Sequence, residues 1–308
     1  MIDKPNVWMA PIALGALVVI GVAPAHAGQT LAAAREMADT VVPRYKVDAR
    51  GDLVPDLRAA AAIIYDADTG QVLWEENSQS QRSIASLTKV MTAAVFLEDD
   101  PDLSRRVTIV RDDVRRASTT FLRSNDKVTV DDLVHLLLIA SDNAAARALA
   151  RVSPHGSSGF IERMNQKAAE LGLETTIYAD PSGLLSDNLS SAYDIARLIA
   201  IASSDERIAS VMQKSEHTVR TPTRTIRFRS TNHLLGREGL DVMAGKTGFI
   251  SKAGYCLATL IRAPQSGHQV AVVVLGARSN AGRFMEAQNL FNWFSAKAAT
   301  LFATQALE

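Results

Sequence analysis

Apolar residues fall in compact runs at both ends of the chain and at helical spacing in between. Residues 59–65 form one run and 72–74 a second, joined by Asp66-Ala67-Asp68-Thr69-Gly70. That order predicts a strand, a turn with glycine near its end, and a returning strand: an antiparallel hairpin. After a polar loop, Leu87, Met91, Ala94 and Val95 share one stripe of a helix that Glu98, Asp99 and Asp100 close. Residues 101–130 are mixed and charged, with short strand-like pieces such as 107–110. Residues 131–139 predict a helix with Asp131 and Asp132 in its first turn and Leu133, Leu136 and Leu137 on its buried face. It breaks at Ala140-Ser141-Asp142-Asn143, and an alanine-rich helix resumes over 144–152; capping that helix is the plain alternative to a chemical role for Ser141.

Further helices are predicted over 160–171, stopped at Gly172, and over 192–202, with a turn at Asp180-Pro181-Ser182-Gly183 between them. Residues 218–229 alternate like an exposed hairpin with Pro222 in its turn. A strand opening at Val242 carries Gly245-Lys246-Thr247-Gly248, two more cover 255–261 and 269–275, and 281–299 closes the chain as a helix. Short connections among the last strands imply antiparallel pairing, and the first two can bury a face only by joining the same sheet. The predicted class is α+β: one antiparallel sheet built from both chain ends, the closing helix on one face and a mostly helical middle on the other.

Charge narrows the partners. The 308 residues carry 33 basic and 33 acidic side chains, so the overall balance gives no argument for nucleic acid or an anionic membrane. Cys256 stands alone, which excludes an intramolecular disulfide and a Cys-based metal site, and the six histidines form no His-x-x-x-His pair. Lys4, an apolar core over 7–22 and Ala25-His26-Ala27 read as a secretory signal over residues 1–27. The expectation is a periplasmic protein, cleaved near Ala27 and left without a stable membrane anchor. Residues 28–57 then form an N-terminal extension with a short helical piece at 31–37, 58–299 the main domain and 300–308 a tail.

The candidate chemistry begins at Ser86. Lys89 follows three residues later, so on a helix its amine reaches the Ser86 hydroxyl. A serine needs a base, and a lysine serves as one when burial and neighbouring positive charge lower its pKa. The spacing alone is weak, since Ser124-Asn125-Asp126-Lys127 repeats it in a polar turn. Ser141-x-Asn143 is likewise matched by Ser186-x-Asn188 and Ser230-x-Asn232. Lys246-Thr247-Gly248 has no following helix to present amides to a phosphate; a strand edge with these side chains suits an anionic peptide end.

Together, in this order and on these elements, the three motifs resemble those of the serine penicillin-recognising enzymes. The chain is similar, over residues 59–294, to the low-molecular-mass penicillin-binding proteins, the S11 D-alanyl-D-alanine peptidases. Thr231-Asn232-His233-Leu234 followed by Lys246-Thr247-Gly248-Phe249, and Asp142 where carboxypeptidases often have glycine, resemble the endopeptidase branch.

The resemblance implies a β-lactamase/transpeptidase-like fold and acyl transfer through Ser86, with Lys89 as base and Ser141 as proton shuttle. It further implies that Asn143 holds the substrate amide, that Lys246 adds positive field, and that Thr247 and Arg283 bind a substrate carboxylate, with Arg278 the rival of Arg283. The amides of Ser86 and Phe249, beside Gly248, form the implied oxyanion hole. Peptidoglycan peptides are the implied substrates and β-lactam antibiotics the inhibitors; no metal or cofactor is called for. Terminal D-alanine and cross-link cleavage both stay open. Two alternatives stand beside this reading. One is a serine β-lactamase, although the Glu-x-x-Leu-Asn element of one major class is absent between Asn143 and Lys246. The other is a catalytically idle peptidoglycan-binding protein of the same fold.

Overall fold

The computed structural model describes residues 43–264 and 266–305, with backbone only over 298–305; the predicted signal segment and the helical piece at 31–37 lie outside them. The chain opens with a small hairpin, β1 (Tyr45–Val47) and β2 (Leu53–Pro55), within the predicted extension. The predicted hairpin follows as β3 (Ala61–Asp66) and β4 (Val72–Glu76), then short β5 (Arg82–Ser83). The middle runs through helix α1 (Thr88–Glu98), β6 (Arg106–Thr108), α2 (Arg111–Val114), β7 (Lys127–Thr129) and α3 (Val130–Leu138). It continues with α4 (Asn143–Val152), α5 (Gly156–Glu170), β8 (Leu189–Ser190), α6 (Ala192–Ala202) and α7 (Glu206–Met212). The hairpin β9 (Glu216–Arg220) and β10 (Thr225–Arg229) leads to β11 (Asp241–Ile250), β12 (Gly254–Arg262), β13 (Gln269–Ala277) and α8 (Asn280–Gln305).

Both chain ends meet in one five-stranded antiparallel sheet, ordered β11-β12-β13-β3-β4, as the pattern predicted. β13 pairs with β3 across some two hundred residues of sequence, Val272 facing Ile64 and Val273 facing Ile63. Successive side chains on a strand point to opposite faces, so the sheet serves two cores. Ile63, Val273 and Leu275 join Phe96, Leu136 and Leu149 of the helical middle. Ile64, Val272 and Leu257 join Leu290, Phe291 and Phe294 of α8. β11 is left as an edge strand, one side of its backbone free to meet the helical middle.

Three boundaries differ from the sequence reading. Ser86 lies in a 3₁₀ turn (Ala85–Leu87) rather than in the first turn of α1. α8 runs to Gln305, beyond the expected stop at 299. α5 opens at Gly156, ahead of the expected start at 160. The hairpin of β1 and β2 is bonded to α8, where Trp293 Nε1 donates to Leu53 O (2.9 Å), and just beyond it Glu286 accepts from the amides of Arg58 and Ala59. Among the described residues no helix is long and apolar enough to cross a membrane.

Phe294 is fully buried in the α8 core. Phe294→Ala is expected to lower unfolding free energy by roughly 3–5 kcal/mol, read as a fall in the urea midpoint at unchanged slope.

Candidate active site

Ser86 stands where the 3₁₀ turn meets the edge strand. Its carrier residue Ala85 has φ +48°, and Ser118, Ser141 and Gly183 around it also take positive φ. For residues other than glycine that conformation costs of order 1 kcal/mol or more, and such strain collects at functional sites. Gly183 is obligatory: a Cβ there would lie 2.0 Å from Ala85 O and 2.9 Å from Ser86 N. Across the turn, a Cβ on Gly248 would lie 2.9 Å from Ile84 O and 3.0 Å from Ser86 N. Two glycines thus let a loop and a strand close on the backbone of one serine.

Lys89, one turn on, is completely buried, whereas Ser86 stays half-buried and open to the cleft. Lys89 Nζ is 2.9 Å from Ser86 Oγ, donates to Asn143 Oδ1 at 2.6 Å and donates to Ser182 O. Burial is the largest cause lowering its pKa, to about 7, with the Arg147 charge acting in the same direction against Asp180 and Asp142. The sequence reading named burial together with positive charge, the latter from Lys246; burial leads as expected, and the positive charge that acts beside it is that of Arg147. Lys246 is also fully buried, and its pKa is pushed well down by burial and then by Lys89 and Arg283. Its Nζ donates to Ser141 Oγ (2.8 Å) and to Thr247 O (2.9 Å).

The Ser-Asp-Asn break divides its work differently from the sequence expectation. Ser141 does not cap α4; Asp142 does, accepting from Ala145 N at 2.9 Å. Its other oxygen accepts from Phe121 N (2.6 Å) and Thr120 Oγ1 (3.0 Å), while Asn143 donates from Nδ2 to Ala117 O and from N to Thr119 O. This frees the Ser141 hydroxyl for Lys246 and clamps the 117–121 loop to the break.

The three motifs converge on a cleft of about 410 Å³, lined among others by Ser86, Ser141, Asn143, Thr247, Phe249 and Arg283. Thr247 donates to Thr231 Oγ1 at 2.6 Å. Phe249 is half exposed and stacks on Tyr255, ring centroids 4.2 Å apart. Arg283 is buried, donates from Nη1 to Gly248 O (3.0 Å) and Cys256 O (3.2 Å), and lies over the Phe284 and Tyr255 rings. Burial lowers its pKa to about 10, and its Nε has no hydrogen-bond partner among the described residues. Arg278 is exposed and is not among the cleft-lining residues. The duplicate Ser124…Lys127 pair lies in an exposed turn away from these residues.

Sequence reasoning missed the loop over 180–188. Asp180 accepts from the amides of Ser182, Gly183 and Leu185 and from the Asn188 side chain. That network aims Ser182 O at Lys89 and fixes Gly183 under Ala85. The Asp-Pro-Ser-Gly run was legible as a turn, but nothing local tied it to a residue a hundred positions away.

A half-exposed serine beside a buried lysine whose pKa is lowered is the arrangement of a serine-type acyl-transfer hydrolase. The S11 peptidase family, D-alanyl-D-alanine carboxypeptidase, matches residues 48–279, and the chain belongs to it. A D-alanyl-D-alanine endopeptidase of Pseudomonas aeruginosa is 33% identical over 80% of this chain and 81% of its own length. One from Escherichia coli is 33% identical over 78% of each chain. The crystal structure of a Streptomyces DD-transpeptidase superposes with a TM-score of 0.73 at 29% identity, covering 79% of this chain and 98% of that one.

Gly183→Ala would drive a methyl group into the Ala85 carbonyl and displace Ser86. Acylation of Ser86 is expected to slow by about 100-fold, measured by active-site titration against wild type.

Proposed function

We propose that the protein is a periplasmic, penicillin-sensitive D-alanyl-D-alanine endopeptidase that cuts peptidoglycan peptides through an acyl-enzyme on Ser86. The observation that carries this is the hydrogen-bond set of the buried Lys89. A neutral lysine amine has two hydrogens and one lone pair. Asn143 Oδ1 and Ser182 O can only accept, so they take both hydrogens, leaving the lone pair for the Ser86 hydroxyl 2.9 Å away. The Ser86 proton passes to Lys89 Nζ as Oγ bonds to the D-alanine carbonyl carbon. The tetrahedral oxygen meets the amides of Ser86 and Phe249, a term worth about 3–4 kcal/mol per donor. The carbon–nitrogen bond then breaks: Ser141, held by Lys246, gives its proton to the leaving amine and is resupplied with the proton Lys89 took from Ser86, which returns Lys89 to its neutral form. Water attacks the ester, with its proton taken by Lys89, and Ser86 is regenerated.

Thr247 and Arg283 serve the substrate carboxylate. The cleft supports Arg283 over Arg278, although two carbonyls already occupy one of its nitrogens. The edge position of β11 suits a substrate laid along it as an added strand. The cross-link preference draws its support from the endopeptidase relatives, and export from the signal-like residues 1–27.

Benzylpenicillin is expected to leave a persistent adduct on Ser86 by intact mass and peptide mapping, absent from Ser86→Ala. Loss of free penicillin without a lasting adduct would point to a β-lactamase; neither adduct nor loss would sink the catalytic reading. Incubation with cross-linked and pentapeptide muropeptides separates the two peptidase activities.

The sign of the pH dependence follows from Lys89. With its pKa lowered to about 7, the base form prevails above that pH and falls tenfold per unit below it. Acylation at about pH 5.5 is therefore expected to be roughly thirtyfold slower than its alkaline plateau, in stopped-flow measurements.

A further inference from the structure

The neutral overall charge conceals a concentration of cations on one flank of the cleft. Residues 105–127 hold seven basic side chains and three carboxylates. Two of the three are taken from outside the segment: Arg151 binds Asp113 bidentately (3.0 and 2.8 Å), and Arg224 binds Asp126. Asp112 alone remains exposed. Arg106, Arg111, Arg115, Arg116, Arg123 and Lys127 are all exposed, and none makes an ion pair among the described residues. Arg147 adds its charge from α4, where its Nη1 donates to Arg115 O (2.7 Å).

This flank is continuous with the cleft and rigid against it. Ser118 and Thr119, which line the cleft, directly follow Arg115, Arg116 and Ala117. Asn143, the Lys89 partner, holds Ala117 O and Thr119 O, and Asp142 holds Phe121 N. The other end is tied down where Ile109 and Asn125 exchange backbone hydrogen bonds with Asp126 and Ile109. Unpaired arginines kept together on a fixed surface repel one another, at a cost that an anionic partner would relieve.

We infer that this arginine flank is a docking surface for the anionic peptide–glycan polymer, gripping stem-peptide carboxylates of the wall outside the cleft while one stem enters it. The inference rests on the peptidase reading for its choice of polymer. Continuity with the Ser118–Thr119 wall favours the polymer that feeds the cleft over a lipid surface. Arginine suits the role because its fork meets a carboxylate with two parallel hydrogen bonds.

The test is cosedimentation of the Ser86→Ala protein with purified sacculi, with and without Arg111→Gln, Arg115→Gln, Arg116→Gln and Arg123→Gln together. The bound fraction is expected to fall at least about fivefold in the arginine variant, and to be lost by both proteins at about 0.5 M salt. On the Ser86 background, penicillin acylation rates of the same four substitutions should match wild type, which shows an intact fold. Equal pelleting of the two proteins would overturn the inference. So would equal binding to phosphatidylglycerol vesicles, which would assign the flank to a membrane. Binding is read without turnover, so a failed peptidase assay leaves this result separate.

Discussion

The structure depends on keeping one lysine dry. Burying an ammonium group costs several kcal/mol unless it is paired or loses its proton. No carboxylate touches Lys89; its partners are a hydroxyl, an amide oxygen and a main-chain carbonyl. The cheapest state for such a group near neutral pH is the neutral amine, which is also the state that can take a proton from serine. Each surrounding element contributes one of these partners. The 3₁₀ turn before α1 brings the serine, the Ser-Asp-Asn break brings Asn143, and the Asp180 loop brings Ser182.

Lys246 repeats the arrangement on the strand side, fully buried against Ser141 and a carbonyl. Burial is the main cause that pushes Lys246 down, and repulsion from Lys89 comes next.

Much of this was legible in sequence because it is periodic. Apolar runs at both ends announced the sheet, and the first two strands join it because they have nowhere else to bury a face; which strand they pair with, β13 through β3, was not legible. The Ser86, Ser141 and Lys246 motifs were legible as an ordered set, and the structure brings them to one cleft. What escaped was whatever acts through the main chain or over distance. The Ser182 carbonyl carries no side-chain signature, the Gly183 contact exists only once the 3₁₀ turn is in place, and Asp142 looked like a departure while serving as cap and clamp. Net charge is limited for a related reason: an average over 308 residues does not say where individual arginines stand.

The two faces of the sheet explain how such strain is tolerated. Positive φ at Ala85, Ser118 and Ser141 and two buried lysines all lie where the helical middle meets the edge of the sheet. The opposite face, where α8 covers Ile64, Val272 and Leu257, is mainly apolar, although it also buries Glu286, bonded to the Arg58 and Ala59 amides, and Arg283. Free energy gained in that second core is available to offset unfavourable geometry in the first, because both are bonded to the same five strands. Arg283 links them: it starts on α8, crosses to the Gly248 and Cys256 carbonyls, and lines the cleft beyond. Its hydrogen bond to Gly248 O fixes the same peptide plane whose amide hydrogen belongs to Phe249. A donor pulling on the carbonyl side of an amide leaves its N–H more positive. The closing helix thereby reaches the Phe249 amide, the proposed oxyanion donor, through a single peptide unit, and the passive face of the sheet helps set the polarity of that amide.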